Sequence, residues 1–414
     1  MAIPLRYTFG NHMHWVDMEW LWGYHVLPGC VRDMLRLCRE AGVKGCVNFD
    51  GIGYEKLAAE DPEAFAELRQ AVQDGMVEVV GGSYGQPYGL FHGGESNVRQ
   101  RIYGARTIRR LFGTPVKTFW EEEFDFFPQL PQILRGVGIE YGSLFFQWTW
   151  HTPEVPREDE PAVFWTSPDG SAIICATRNN LNLHQWPEDM DATFASLGSD
   201  GTGEKPRLIQ QWLELMPSPD WMCRSQLILP KLQELMIDSR FEITPVTLGE
   251  YLAEQPENLP IRRYTMDQVW HGMSLGKNGD NMRRLSGSAE RSLLAAETLA
   301  AVAGLFARPY AQWDVYPTWE LEESWRELLS AQHHDNDECE GLCGHVGRFS
   351  YERSLSLGGH VRHRTLHLLA QRAEAPRGST LVFKPNGWAV ADTFFHPVSG
   401  QPIVVTEIPA FGFL

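Results

Sequence analysis

The chain has 414 residues, 43% of them hydrophobic and 21% charged, the profile of a folded protein of two or three domains. No apolar run approaches the ~20 residues of a membrane span, so no membrane partner is expected. Lys+Arg total 36 against Asp+Glu 53, a formal charge of −17 with no basic patch, which argues against a nucleic-acid partner.

The opening Met1-Ala2-Ile3-Pro4-Leu5-Arg6 lacks a charged leader followed by an apolar stretch. The seven cysteines are odd in number and scattered, as suits reduced thiols, and together these features predict a cytoplasmic protein. Cys339 and Cys343, four apart, read as two small core residues on one helical face.

Short apolar runs alternate with amphipathic stretches over the first 250 residues, the pattern of a βα barrel or sheet. Arg6–Gly10 reads as a strand, Val31–Ala41 as a helix and Gly45–Asn48 as a strand. A helix over Pro62–Gln73 starts at an Asp-Pro pair. The strand Val77–Val80 precedes Gly81-Gly82, and a long helix over Ser96–Phe112 is expected to bury Val98, Ile102, Ala105, Ile108 and Phe112. Val116–Trp120 reads as strand, Leu130–Val137 as helix, and Gly142–Phe146 and Ala172–Ala176 as strands. Near residue 265 the pattern becomes helical, with helices at Ser286–Phe306, Thr318–Ser330 and Phe349–Ala373. From Thr380 the period becomes two.

Polar residues follow the strands, where α/β barrels carry their active sites. Asn11-His12-Met13-His14-Trp15-Val16-Asp17-Met18-Glu19-Trp20 offers two imidazoles and two acids to a divalent metal, or is a solvated connection with Asp17 capping a helix. Trp120-Glu121-Glu122-Glu123-Phe124-Asp125 crowds four carboxylates beyond a strand; a cation would relieve their repulsion, and glycosidases need two such groups. An exposed acidic turn is the other reading. Gln332-His333-His334-Asp335-Asn336-Asp337 ends a predicted helix, where histidine also suits the helix dipole. Gly198-Ser199-Asp200-Gly201-Thr202-Gly203-Glu204-Lys205-Pro206 is a Gly-rich loop with the composition of a surface turn.

Taken together these segments resemble glycoside hydrolase family 38, the α-mannosidases. His12 to Trp20 resembles the family's HTHWDREW. Gly81-Gly82-Ser83-Tyr84-Gly85-Gln86-Pro87-Tyr88 through Gly94-Glu95-Ser96-Asn97-Val98-Arg99-Gln100 follows GGWYxQPD…GESLVRQ. Trp120 through Leu130-Pro131-Gln132 resembles W-x-P-D-x-F-G…LPQ, and Ala331-Gln332-His333-His334-Asp335 matches AQHHD. Phe383-Lys384-Pro385-Asn386-Gly387-Trp388 and Pro409-Ala410-Phe411-Gly412-Phe413 resemble the first strands of the family's C-terminal β region.

The resemblance implies an α/β fold: a seven-stranded α/β barrel over residues 1–265, a three-helix bundle over 266–375 and a short β segment, the start of a β-sandwich, over 376–414. It implies one zinc ion per chain held by His14, Asp17, Glu122 and His334, with Glu122 placed on the nucleophile by counting back from Leu130-Pro131-Gln132. Asp200 resembles the acid/base, and Trp20, Tyr88, His333 and Asp335 would line the sugar site. The expected activity is retaining hydrolysis of a terminal α-linked sugar by a homo-oligomer acting on a carbohydrate substrate. Val16 is inserted, Glu122 replaces an Asp, and Tyr88 stands where the family has an acid. A metal-dependent carbohydrate deacetylase and a non-catalytic carbohydrate-binding relative are the alternatives.

Overall fold

The computed structural model describes residues 2–13, 15, 26–122, 125–145, 158–197, 207–215, 225–269, 279–306, 316–338, 342–376, 378–396 and 398–414. Two compact units emerge, Met1–Gly279 with Gln332–Val346, and Asp280–Ala331 with Gly347–Leu414.

The first unit holds eleven of the described strands: β1 (Ile3–His12), β2 (Gly45–Asn48), β3 (Val77–Val79), β4 (Thr118–Phe119), β5 (Tyr141–Ser143), β6 (Ala162–Thr166), β7 (Ala172–Ala176), β8 (Leu181–Leu183), β9 (Arg207–Leu213), β10 (Phe241–Pro245) and β11 (Ile261–Arg262). One sheet runs β3-β2-β1-β9-β8 with β10 also on β1, and every pair in it is parallel. The other runs β11-β6-β7-β5-β4, in which only β6 and β7 are antiparallel. Among the described residues, one parallel bridge, Val80↔Thr118, links the two. The architecture is α/β with a mostly parallel central sheet.

Strand alternation gives each face its own core. Leu5, Tyr7 and Phe9 of β1, Val47 of β2, Val77 and Val79 of β3, Phe119 of β4 and Ile209 and Leu213 of β9 join the cluster that packs the helices. Cys46, Val80, Trp120, Phe145, Ala176, Leu208 and Trp212 point the opposite way. Residues of both sheets meet in that second cluster, so both sheets turn the same face toward one shared inner space.

The helices arise where local signals coincide. Val26–Ala41 buries Val26, Leu27, Cys30, Val31, Met34, Leu35, Leu37 and Cys38, and begins five residues before the expected start. Gly51–Glu60 was not anticipated; its N-cap Asp50 accepts from Gly53 N. Asp61 caps Pro62–Gln73 in the same way.

The helix Gly94–Phe112 departs from the expected face. Val98 and Ile102 are exposed, whereas Gln100, Arg101, Tyr103, Gly104 and Thr107 are buried with Ile108 and Phe112. Polar contacts outweigh the apolar stripe here, because Gln100 and Arg101 bond to the strand ends described below. Gly104 permits this approach: a Cβ there would run into the Gly82 carbonyl oxygen.

In the second unit, helical segments from Gly279–Leu305, Thr318–Ala331 and Leu342–Arg372 touch through specific bonds. Buried Trp325 donates Nε1 to Glu297 at 2.8 Å, and Ser354 donates Oγ to the Ser324 carbonyl at 2.9 Å. Leu299, Ala303 and Leu369 form a small apolar cluster that Leu381 and Phe383 extend. The antiparallel pair β12 (Val390–Phe395) and β13 (Pro402–Ile408) follows, agreeing with the period of two.

Candidate active site

The site gathers where chain segments leave the C-terminal ends of β1, β2, β3 and β4, joined by Gln332–Asp335. Of the residues singled out in the sequence, Glu122, Tyr88, His333, His334 and Asp335 are described. His14, Asp17, Trp20 and Asp200 lie outside the described residues.

Glu122 is buried and held from three sides. The Ser83 hydroxyl lies 2.9 and 2.8 Å from its two oxygens, Ser83 N donates to Oε1 at 3.1 Å, and Arg101 Nη1 donates to Oε1 at 3.0 Å. Arg101, 1% exposed, also pairs with Asp125. Such a cation survives burial only with charge partners on both sides of its fork. Burial pushes the Asp125 carboxyl up to about 6, with Arg101 pulling it down and Glu122 adding to the rise.

Glu121 takes an unexpected direction. Alternation past Trp120 would turn its side chain toward the helices, but its backbone is left-handed at φ 59. The carboxylate therefore lies against Gly10 of β1, where a Cβ would come within 2.6 Å of Glu121 Cγ. Its carbonyl oxygen accepts from Asn48 Nδ2 at 2.6 Å and meets His12 Nδ1 at 2.7 Å. A carbonyl only accepts, so that contact places the His12 proton on Nδ1.

The loop after β3 shapes the other side. Gln100 Oε1 accepts from Tyr84 N at 3.2 Å and Gly85 N at 2.9 Å, and Ser83 Oγ accepts from Gln86 N at 3.0 Å. Gln86 itself is left-handed, φ 46, and donates Nε2 to the Met13 carbonyl at 2.8 Å. Two of the three non-glycine residues with positive φ among those described, Gln86 and Glu121, thus sit in this site.

The segment His333-His334-Asp335, with both histidines buried and Asp335 half-buried, docks on that loop. Pro87 and His333 form an antiparallel bridge, and His334 N donates to the Gln86 carbonyl at 3.2 Å. The same carbonyl takes His334 Nδ1 at 2.8 Å, which directs a lone pair onto Nε2. Asp335 Oδ1 is 3.8 Å from that Nε2. The rings of His333 and His334 stack at 4.2 Å. Ligand atoms of His333, His334 and Asp335 lie within 4.8 Å of one another, a donor set suited to a divalent cation. The 6.4 Å between the His12 and His334 ring centroids is too long for both imidazoles to sit at a tetrahedral angle on one ion. Tyr88 is buried edge-on against Phe91 at 4.2 Å.

Sequence reasoning missed Arg101 and the separate directions of Glu121 and Glu122. Arg101 directly follows Val98-Arg99-Gln100, but only its burial distinguishes it from the helix's surface arginines.

Comparisons with known proteins agree with this picture. The model of the glycosyl hydrolases family 38 N-terminal domain matches residues 11–212. Human alpha-mannosidase 2C1 is 23% identical over 431 residues, covering 97% of this chain and 39% of that protein. Alpha-mannosidase G of Dictyostelium discoideum is 25% identical over 169 residues, 40% of this chain and 15% of its own length. The chain therefore spans about two-fifths of the length of the 2C1 relatives, 39% in both human and mouse. Among solved structures, an alpha-mannosidase from Enterococcus faecalis V583 aligns with a TM-score of 0.71 at 18% identity, covering 94% of this chain and 46% of that one. A GH57 branching enzyme from Thermococcus kodakaraensis shares the fold at a TM-score of 0.59 and 13% identity, covering 91% and 92%. With its strand ends, buried acids and AQHHD segment arranged in this way, the chain is similar to glycoside hydrolase family 38, a divergent family 38-like protein.

Proposed function

We propose that this protein is a metal-dependent retaining glycosidase that cleaves a terminal α-linked sugar from a carbohydrate. The observation that carries the reading is the anchoring of His334: its Nδ1 is tied to the Gln86 carbonyl at 2.8 Å, the support that metal-ligating imidazoles require. His334 and Glu122, with His14 and Asp17, would hold the ion, and zinc suits these nitrogen and oxygen donors. Bound there, the cation supplies Lewis-acid contacts to sugar hydroxyls.

The chain's own groups account for the chemistry. Ser83 and Arg101 hold the Glu122 carboxylate in one orientation, as attack on an anomeric carbon requires. Asp335 and His333 border the space beside His334 and would meet the sugar. A second carboxyl must protonate the leaving oxygen and later activate water; Asp200 is the sequence-based candidate. We also read the two linked sheets as the family's seven-stranded barrel and the helices of the second unit as its three-helix bundle. The buried cysteines Cys30, Cys38, Cys46 and Cys175 support a reducing, cytoplasmic setting.

Metal analysis of the purified protein, with a panel of aryl α- and β-glycosides assayed before and after chelation, tests the reading. About one zinc per chain with chelator-sensitive α-glycoside cleavage is expected. Glu122→Gln should abolish turnover. Full activity in that variant, with loss in Glu121→Gln instead, would move the nucleophile by one residue. Absence of turnover on every glycoside would overturn the assignment.

A further inference from the structure

The second unit carries its own cluster of imidazoles. Three of the chain's 14 histidines, His360, His363 and His367, fall close together on the helix Leu342–Arg372. Ser354, Gly358, Val361, Thr365 and Leu369 of that helix are buried, and a Cβ on Gly358 would come within 2.8 Å of Leu293 Cδ2. This packing fixes the rotation of the helix about its axis. At about 100° per residue, the three histidines share an arc of about 60° on the opposite face. All three are exposed.

His363 and His367 are four residues apart, which sets two side chains one above the other with Cβ atoms about 5–6 Å apart. Exposed rings can turn about χ1 and χ2, so each can bring a nitrogen to the ~2.0–2.1 Å that a transition metal requires. His360 stands one turn before His363 on the same stripe. Gln371 stands one turn after His367, with its Nε2 2.8 Å from His367 Nε2. An amide N–H only donates, so it meets a lone pair on His367 Nε2, and the imidazole proton is on Nδ1. From Arg353 to Arg372 the sequence holds no Asp or Glu. Hard cations such as Ca2+ and Mg2+ find no carboxylate there, whereas imidazole nitrogens suit Ni2+, Cu2+ and Zn2+. Arg364 lies on the edge of the stripe away from His363, and its charge limits the affinity.

We propose that His363 and His367 form a surface chelate site for a divalent transition metal, with His360 as an auxiliary ligand. The ion takes the Nε2 lone pair that Gln371 now meets, so Gln371 competes with it. Water completes the coordination, and such an open set binds more weakly than a closed set of four protein ligands. The ion clips successive turns of the helix together and favours the folded state by mass action. This site lies on one helix of the second unit and does not depend on the function proposed above.

Equilibrium dialysis against NiCl2, with bound Ni2+ counted per chain, tests the proposal. Wild type should hold about one more Ni2+ than the double variant His363→Ala/His367→Ala, and the difference should persist when both also carry His334→Ala. Either single variant should weaken that ion at least about tenfold, since loss of a mere supporting group already costs this much. His360→Ala should weaken it less, and Gln371→Ala should tighten it. Affinities should rise from Co2+ through Ni2+ to Cu2+, and the paramagnetic resonance of bound Cu2+ should show coupling to imidazole nitrogens. Because the substituted positions are exposed, the thermal midpoint without metal should not move. Equal Ni2+ counts in wild type and the double variant would overturn the site. Tighter binding of Ca2+ than of Ni2+ would overturn the imidazole donor set, and a looser ion in Gln371→Ala would overturn Nε2 of His367 as the ligand atom.

Discussion

The carbonyl oxygen of Gln86 lies 2.8 Å from Nδ1 of His334, and it reaches that position from a left-handed backbone, φ 46. Nothing adjacent in sequence makes this contact. It depends on Gln100, whose side chain holds Tyr84 and Gly85 through their backbone N–H groups. Removing Gln100 Oε1 frees the loop that orients the imidazole. Gln100→Ala should weaken metal retention about tenfold to a hundredfold, read by chelator competition, while His334→Ala should lose more. Equal retention in Gln100→Ala and wild type would dissociate the loop from the metal site.

Arg101 lies between two buried carboxylates, 3.0 Å from Glu122 and paired with Asp125. Arg101→Met leaves both acids in a low-dielectric site without their cation. The expected loss of stability is about 3–5 kcal/mol, seen as a lower urea midpoint with an unchanged slope. A loss below about 1 kcal/mol would mean that the pair is effectively solvated, as at a protein surface.

Asp125 links stability to pH. Burial raises its carboxyl from 3.8 to about 6 in the folded state. The folded protein therefore binds the proton more tightly than the unfolded chain, and this contribution is fully present below about pH 4 and lost as pH rises through about 6. Unfolding measured from pH 4 to 6.5 should show the wild type losing on the order of 1–3 kcal/mol relative to Asp125→Asn. A difference that is flat, or of opposite sign, would place the Asp125 pKa at or below its ordinary value.

Gly10 leaves room for the Glu121 side chain. In Gly10→Ala the new Cβ would lie within 2.8 Å of both Cγ and Cδ of Glu121, on a strand held by pairing on both edges. The carboxylate must move. The variant should be less stable by about 1–3 kcal/mol, and the proposed glycosidase activity should fall more than in Gly75→Ala, a control at a helix end. Activity equal to wild type would exclude Glu121 from the site.

Much of the scaffold was legible because its signals are local. Asp61-Pro62 marks a capped start, Gly113 at φ 78 marks a helix end, and the strands Gly45–Asn48 and Ala172–Ala176 fall where expected. The short strands β3 and β4 were placed within two residues of their observed ends, whereas β5 was expected to run to Phe146 and ends at Ser143. The helix Gly94–Phe112 shows where local reading fails. Its apolar residues Val98 and Ile102 face solvent because Gln100 and Arg101 are drawn inward by Tyr84, Gly85 and Glu122. A hydrophobic period cannot register partners that lie 15 to 21 residues away in the chain.

The sequence by itself determined which chemical groups are available: an acidic run after a buried strand, the His333-His334-Asp335 segment, and an order of motifs that resembles family 38. Those are properties of composition and spacing. Only the tertiary structure decided their directions. One left-handed residue at Glu121 turns its carboxylate toward β1 while Glu122 meets Ser83 and Arg101. Parallel pairing of β1 with β9 sets Asn11 level with Leu213, although some 200 residues separate them. The physical reason is the same in both cases. Which face a side chain takes at a strand end follows from backbone torsion and register, and these answer to neighbours across the sheet rather than along the chain.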